Sequence, residues 1–126
     1  MAPVTILTTA SLRAGLRLHP EGRWDPRRFR ANILLDVDGE DFIENAWMGR
    51  TLRIGAVELS VTAPTPRCVM TTLAQSDLPA DRRILRTLAR ANRAELPGVG
   101  PFTCLGAYAS VTVPGRIEVG APVEIG

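Results

Sequence analysis

The segment Pro64-Thr65-Pro66-Arg67-Cys68-Val69-Met70-Thr71-Thr72 sets one of the chain's two cysteines beside a fixed positive charge. A neighbouring Arg favours the thiolate, the form that attacks, carries sulfur or ligates a soft metal. Two other places supply anion chemistry. Arg30 and Asn32 stand two apart in an alternating segment, which would put both side chains on one strand face. Arg offers a fork for phosphate, and Asn offers a donor and an acceptor. Thr8, Thr9 and Ser11, in "LTTAS", sit where a helix should begin, and a helix N-terminus favours an anion. Each signal also has a plainer reading: Cys68 as a small buried hydrophobe, Arg30 and Asn32 as a solvent face, Thr8 or Thr9 as a simple cap. Together they describe an anion pocket beside a thiolate.

Other chemistry is narrowed by what the chain lacks. There is no GxSxG, phosphate-binding Walker loop, HExxH or CxxC. His19, in a loop next to Pro20, is expected at the surface. Asp36, Asp38, Glu40 and Asp41 lack calcium-loop spacing and read as a solvated turn. Cys68 and Cys104 do not make a metal knuckle, and one His cannot complete a zinc set. All 15 basic residues are Arg and none is Lys, so no side-chain Schiff base can form and covalent pyridoxal-phosphate chemistry is excluded. A net charge of +2 argues against a dedicated nucleic-acid binder. No apolar run approaches the roughly 18 residues that span a membrane, and the first residues lack a basic stretch ahead of an apolar core. The expectation is a cytoplasmic, single-domain protein over residues 1–126, without a nucleic-acid or membrane partner.

The elements that would position these residues follow from periodicity. Val4 to Leu7 reads as a strand. A helix capped by Thr8 or Thr9 follows, carrying Leu12, Ala14 and Leu16 inward and kept short by Gly15. "RFRANILLDVDG" reads as a strand with Phe29, Ala31, Ile33, Leu35 and Val37 on one face. "DFIENAWMG" packs Phe42 and Trp47, as a short helix or an irregular segment. "TLRIGAVELSVT" is a hairpin turning near Gly55–Ala56, and Pro64 and Pro66 are expected to end its pairing. "LPADRRILRTLARANR" is the strongest helix, with Asp77 as cap and Ile84, Leu85, Leu88 and Ala89 as its apolar face. Its Arg86, Arg90 and Arg93 read as a solvated row. "LPGVGP" reads as a link. The rest is strand-rich, with Ile117, Val119, Val123 and Ile125 alternating. The inventory is mainly β with peripheral helices (α+β), as a largely antiparallel β-barrel or folded sheet.

"RFRANILLD", "LRIGAVELSVTAPTPRCVMTT", "LRTLAR" and "PGRIEVGAPVEI", preceded by "VTILTTASL", together resemble the MOSC domain, the molybdenum-cofactor sulfurase C-terminal module, of the amidoxime-reducing-component type. The ordered match covers nearly the whole chain. The resemblance implies a MOSC-like β-barrel and a site for the molybdenum cofactor, a phosphate-bearing pterin (molybdopterin). It implies Cys68 as molybdenum ligand or persulfide sulfur carrier, and cofactor contacts from Arg30, Asn32, Arg67, Ser11 and Thr9. It implies a small-molecule substrate and a separate electron or sulfur donor protein, because two cysteines cannot hold a four-cysteine cluster and no dinucleotide fingerprint is present. Departures from the family pattern are Ala31 where Pro is usual, Thr65 where a second Cys is common, and Leu105–Tyr108 where a Phe-Gly-x-Asn-like run is usual. Longer relatives carry a β-rich region before "VTILTT", so this barrel is expected to be incomplete at its N-terminal side, or completed by a homo-oligomer. The rival reading is a non-catalytic binding module, either a cofactor carrier or a degenerate module that keeps only the fold.

Overall fold

β1 (Val4–Thr8) passes directly into helix α1 (Thr9–Leu18) because Thr8 ends the strand in an extended conformation and accepts a hydrogen bond from Ser11 N at 3.1 Å. In this computed structural model, which describes residues 3–96 and 98–126, β2 (Ile33–Leu35), β3 (Thr51–Ile54) and β4 (Val57–Pro66) follow. They lead to α2 (Arg83–Ala91), β5 (Arg93–Leu96), β6 (Gly100–Val113) and β7 (Val123–Ile125). The sheet order is β2-β1-β6-β4-β3-β7, with β5 added to β6. Only β1 and β2 run parallel; the other ladders are antiparallel. The sheet curls into a nearly closed barrel whose seam lies between β2 and β7. A cavity of about 700 Å³ opens there, lined by Ile33 and Leu35 on one side and Val123 and Ile125 on the other. Among the described residues no helix is long and apolar enough to cross a membrane.

β1 feeds two cores because successive strand side chains point to opposite faces. Ile6 enters the barrel interior with Trp47, Leu52, Leu59 and Ala107. Leu7 enters a second cluster with Trp24, Phe29, Ile84, Leu88 and Leu105, which seals the helices onto the barrel.

Several expectations change in the folded chain. Pro64 and Pro66 do not end pairing: β4 stays paired with β6 through Pro66↔Cys104 and absorbs the prolines through register shifts. The strand expected over "RFRANILLDVDG" shrinks to Ile33–Leu35. Asp25 caps a 3-10 turn at Pro26–Arg28, and Arg30 takes a left-handed φ of 49°, which breaks extension before Ala31. The in–out alternation from Ala31 to Val37 survives, with Leu35 buried. Asp77 does not cap α2; it pairs with Arg27 at 2.8 Å, and Asp81 instead accepts from Arg83 N at 2.9 Å. Arg93 leaves the helical row for β5, and "LPGVGP" spans the β5–β6 turn, with Pro97 outside the described residues. Ile117 and Val119 are exposed, and only Val123–Ile125 forms a strand.

Within α1, Leu16 is exposed while Gly15 is buried. The helix turns Gly15 toward Trp24, whose ring atoms lie 2.4–2.6 Å from where a Cβ would stand. Ala at an exposed helical position would stabilise by about 1 kcal/mol. Overpacking a rigid ring costs roughly 1–3 kcal/mol, so the steric effect decides the sign here. Gly15→Ala is expected to lower stability, read as a reduced urea midpoint at unchanged m-value.

Candidate anion and thiol site

The path from sequence to site runs through a bulge in β6. Pro64 pairs with Ala107, but Pro66 pairs with Cys104, so β6 carries an extra residue against β4. Gly106 supplies the required geometry, with φ of 83°. A Cβ there would lie 2.6 Å from the Ile6 carbonyl oxygen and 3.4 Å from Arg67 Nη2. The bulge sends Leu105 to the helix side while Ala107 stays in the barrel, and it turns the Leu105 carbonyl toward Arg67.

Arg67 leaves the end of β4 and lies in this notch. Its Nε donates to Leu105 O at 2.9 Å and its Nη1 to Phe29 O at 2.6 Å, with the guanidinium 5.5 Å from the Phe29 ring centroid. Its Nη2 is enclosed and has no partner among the described residues. Burial pulls the Arg67 pKa below the ordinary arginine value, opposed by Tyr108, Cys104 and Cys68; the group stays charged at neutral pH. Cys68, the next residue, is exposed and free, whereas Cys104 is buried and free. Cys68 starts a 3-10 turn over Val69–Thr72, and its carbonyl accepts from Thr71 Oγ1 at 3.0 Å. Thr65 is 3% exposed, and its hydroxyl also lacks a partner.

The residues "RFR" build the other wall. Arg28 is 2% exposed. It donates to Arg23 O at 2.8 Å and to Pro79 O at 2.7 Å, with longer bonds to the carbonyls of Thr71 and Leu73. It therefore clamps the loop that follows Cys68. Phe29 gives its carbonyl and ring to Arg67. Arg30 is exposed in its left-handed conformation. The peptide unit joining Phe29 to Arg30 thus touches the Arg67 guanidinium. Asn32, also exposed, turns its Oδ1 to Thr5 N at 2.7 Å and its own N–H to Thr5 O at 2.9 Å, continuing the β1–β2 pairing. Arg67 thus reaches the carbonyl that precedes Arg30 and is followed in the chain by Cys68; Arg30 and Cys68 are exposed, and Arg67 is half-buried.

At the α1 N-terminus the hydroxyls already meet a carboxyl group of the chain itself. Glu44, 1% exposed on the 3-10 turn Ile43–Trp47, accepts from Thr8 Oγ1 and, at 2.8 Å, from Ser11 Oγ. Thr9 Oγ1 donates to Asp36 at 3.0 Å and accepts from Val37 N at 2.9 Å, tying α1 to the segment after β2. Sequence reasoning missed Glu44 and Arg28. A single carboxylate inside the apolar run "FIENAW" is the signal by which Glu44 could have been found; Arg28 has none, because only the tertiary fold brings the carbonyls of residues 71–79 to it. His19, expected at the surface, is 3% exposed and bonds through Nε2 to Asp81 at 2.8 Å. Asp36, Asp38, Glu40 and Asp41 are exposed, and no group of acidic, His and Cys side chains with metal-holding geometry occurs among the described residues.

Family comparison agrees with this architecture. The MOSC domain model matches residues 1–124. The chain belongs to the MOSC domain family. Among curated proteins, this MOSC domain is 30% identical over 128 residues to mitochondrial amidoxime-reducing component 1 of Mus musculus, covering 98% of the chain and 36% of that relative. It is 34% identical over 128 residues to mitochondrial amidoxime reducing component 2 of Homo sapiens, covering 96% of the chain and 36% of that relative. The Bos taurus component 2 is 32% identical over 126 residues, covering 97% and 36%. The chain therefore spans about a third of the length of these relatives.

Burial raises the Glu44 pKa above its ordinary 4.5, with the Thr8 and Ser11 hydrogen bonds opposing it. The folded state therefore holds this proton more tightly than the unfolded state does. The stabilisation is full below the unfolded value and is lost as pH rises through the raised folded value. Glu44→Gln removes that titration while keeping the shape. Its stability relative to wild type is expected to improve from about pH 4.5 to about pH 7.5, measured by urea unfolding at both pH values; a pH-independent difference would refute the assignment.

Proposed function

We propose that this MOSC domain binds the molybdenum cofactor at the surface formed by Arg67, Cys68 and Arg30, and acts in reduction of N-hydroxylated small molecules. The observation that carries this reading is the enclosed, unpartnered Nη2 of Arg67, one residue from an exposed thiol. A buried guanidinium N–H without an acceptor is costly, and an anionic ligand group would satisfy it. The donor set suits the cofactor: arginine forks bind phosphate, and a thiolate is a soft ligand for a transition metal. Cys68 Sγ would hold the metal, Arg67 and Arg30 would face the anionic pterin phosphate, and Thr65 Oγ1 is a further free polar atom. Asn32, Ser11 and Thr9 are already committed to Thr5, Glu44 and Asp36, so they would serve the cofactor only by fixing the positions of β1, β2 and α1 around it.

The cofactor, when bound, supplies a metal that passes two electrons to substrate. Reduction of an N-hydroxylated amidine breaks its N–O bond, consumes two electrons and two protons, and releases water and the amidine. The electrons would come from a separate donor protein. The relatives named amidoxime-reducing components support this reaction class. Within it, Cys68 serves better as ligand than as sulfur carrier. Releasing sulfur from a persulfide is assisted by a second thiol, and Cys104 is buried while position 65 is Thr.

The test is cofactor content after expression with cofactor biosynthesis intact. Wild type is expected to carry molybdenum and pterin together, while Cys68→Ser keeps pterin and loses metal by about tenfold or more. Absence of both from wild type defeats the proposal, and pterin without metal in wild type and variant alike favours a carrier. Arg30→Gly separates function from folding. Glycine relieves the left-handed strain, raising stability by about 1 kcal/mol, yet loss of the guanidinium is expected to reduce pterin retention.

A further inference from the structure

We infer a second ligand site, separate from Arg67 and Cys68, that takes a small phosphate monoester whose organic part carries a hydroxyl group. It lies where α2 meets the end of α1, in a cavity of about 320 Å³ lined by His19, Arg83, Arg86, Thr87 and Arg90. That volume falls at the lower end of small-molecule pockets, about 300–1,000 Å³.

The cavity is strongly basic. The three arginines fall at i, i+3 and i+7 on α2, so they share one face. No acidic side chain lines the cavity. Arg83 reaches Glu21 at 3.2 Å on the exposed rim, and among the described residues no carboxylate pairs with Arg86 or Arg90. Like charges at this spacing destabilise a helix, and a bound anion converts the same charges into a set of forks for phosphoryl oxygens.

His19 adds a polar atom of a different kind. It is almost fully buried, lines the cavity, and leaves Nδ1 with no protein partner. Its Nε2 faces the Asp81 carboxylate at 2.8 Å. A carboxylate only accepts, so Nε2 carries the proton, and in the neutral ring Nδ1 is left as an acceptor. An unpartnered acceptor on a cavity-lining residue suits a ligand hydroxyl rather than bare phosphate. Thr87 adds a hydroxyl that can donate or accept. The site thus distinguishes two ends of one ligand: arginines for the phosphoryl group, His19 and Thr87 for the hydroxyl-bearing part.

The test is titration of the 126-residue chain with ribose 5-phosphate, inorganic phosphate, polyglutamate and sodium chloride at matched ionic strength. Heat of binding and the arginine Nε–Hε resonances are followed. Ribose 5-phosphate is expected to bind at least several-fold more tightly than inorganic phosphate and to shift the Arg86 and Arg90 resonances. The double substitution R86A/R90A, on an exposed helix face, is expected to weaken it by about tenfold or more. Arg30→Gly should leave the affinity unchanged, which separates this site from the one at Arg67. Equal responses to ribose 5-phosphate and chloride, wild-type affinity in R86A/R90A, or binding of polyglutamate alone would each overturn the inference.

Discussion

The structure turns on the burial of the Arg67 guanidinium. Sinking an arginine among backbone carbonyls is tolerable only where acceptors are already in place. Leu105 O and Phe29 O provide them, from two elements far apart in sequence. To present Leu105 O, β6 must bulge at Gly106. To present Phe29 O, the chain before β2 must turn rather than extend. One side chain thereby fixes the end of β4, the middle of β6 and the loop entering β2 relative to each other. The thiol of Cys68 inherits its position from that arrangement.

The three residues Arg28, Phe29 and Arg30 divide the labour around this point. Arg28 is spent inward, on carbonyls of the loop beyond Cys68. Phe29 serves as both acceptor and stacking surface for Arg67. Arg30 alone keeps its charge at the surface, at the expense of a left-handed backbone. Strained residues tend to persist where surrounding structure over-determines them, and here Phe29 and Asn32 are held on either side. The α1 N-terminus shows the opposite economy. Its dipole and hydroxyls are matched by Glu44 from within the chain, so the helix start is anchored to the barrel before any ligand is considered.

Much of the fold was legible in the chain itself. The Gly55–Ala56 hairpin, the α2 apolar face, the Thr8 cap and the in–out alternation from Ala31 to Val37 all follow from periods of two or 3.6 and from local turn chemistry. The failures have a common form. Pro64 and Pro66 read as strand ends because a proline donates no ladder bond, yet register shifts on the partner strand accommodate them. Gly15 read as a helix weakness, yet it makes room for Trp24. His19 read as a surface loop residue, yet Asp81, 62 positions away, pairs with it in a buried setting. In each case the decisive partner belongs to another element, which only tertiary packing brings into contact.

The mainly β composition, the local helices and turns, and the adjacency of a guanidinium to a thiol at Arg67–Cys68 follow from residue order alone. The chain's ordered motifs also carried the MOSC resemblance. Tertiary structure decided which charges are committed and which are free. Arg28, Glu44 and His19 are buried and Arg67 is half-buried because long-range packing encloses them, and Arg30, Arg86 and Arg90 remain at the surface. Residue type and spacing fix a side chain's chemistry, but burial and acceptor supply come from elements the chain brings together only on folding.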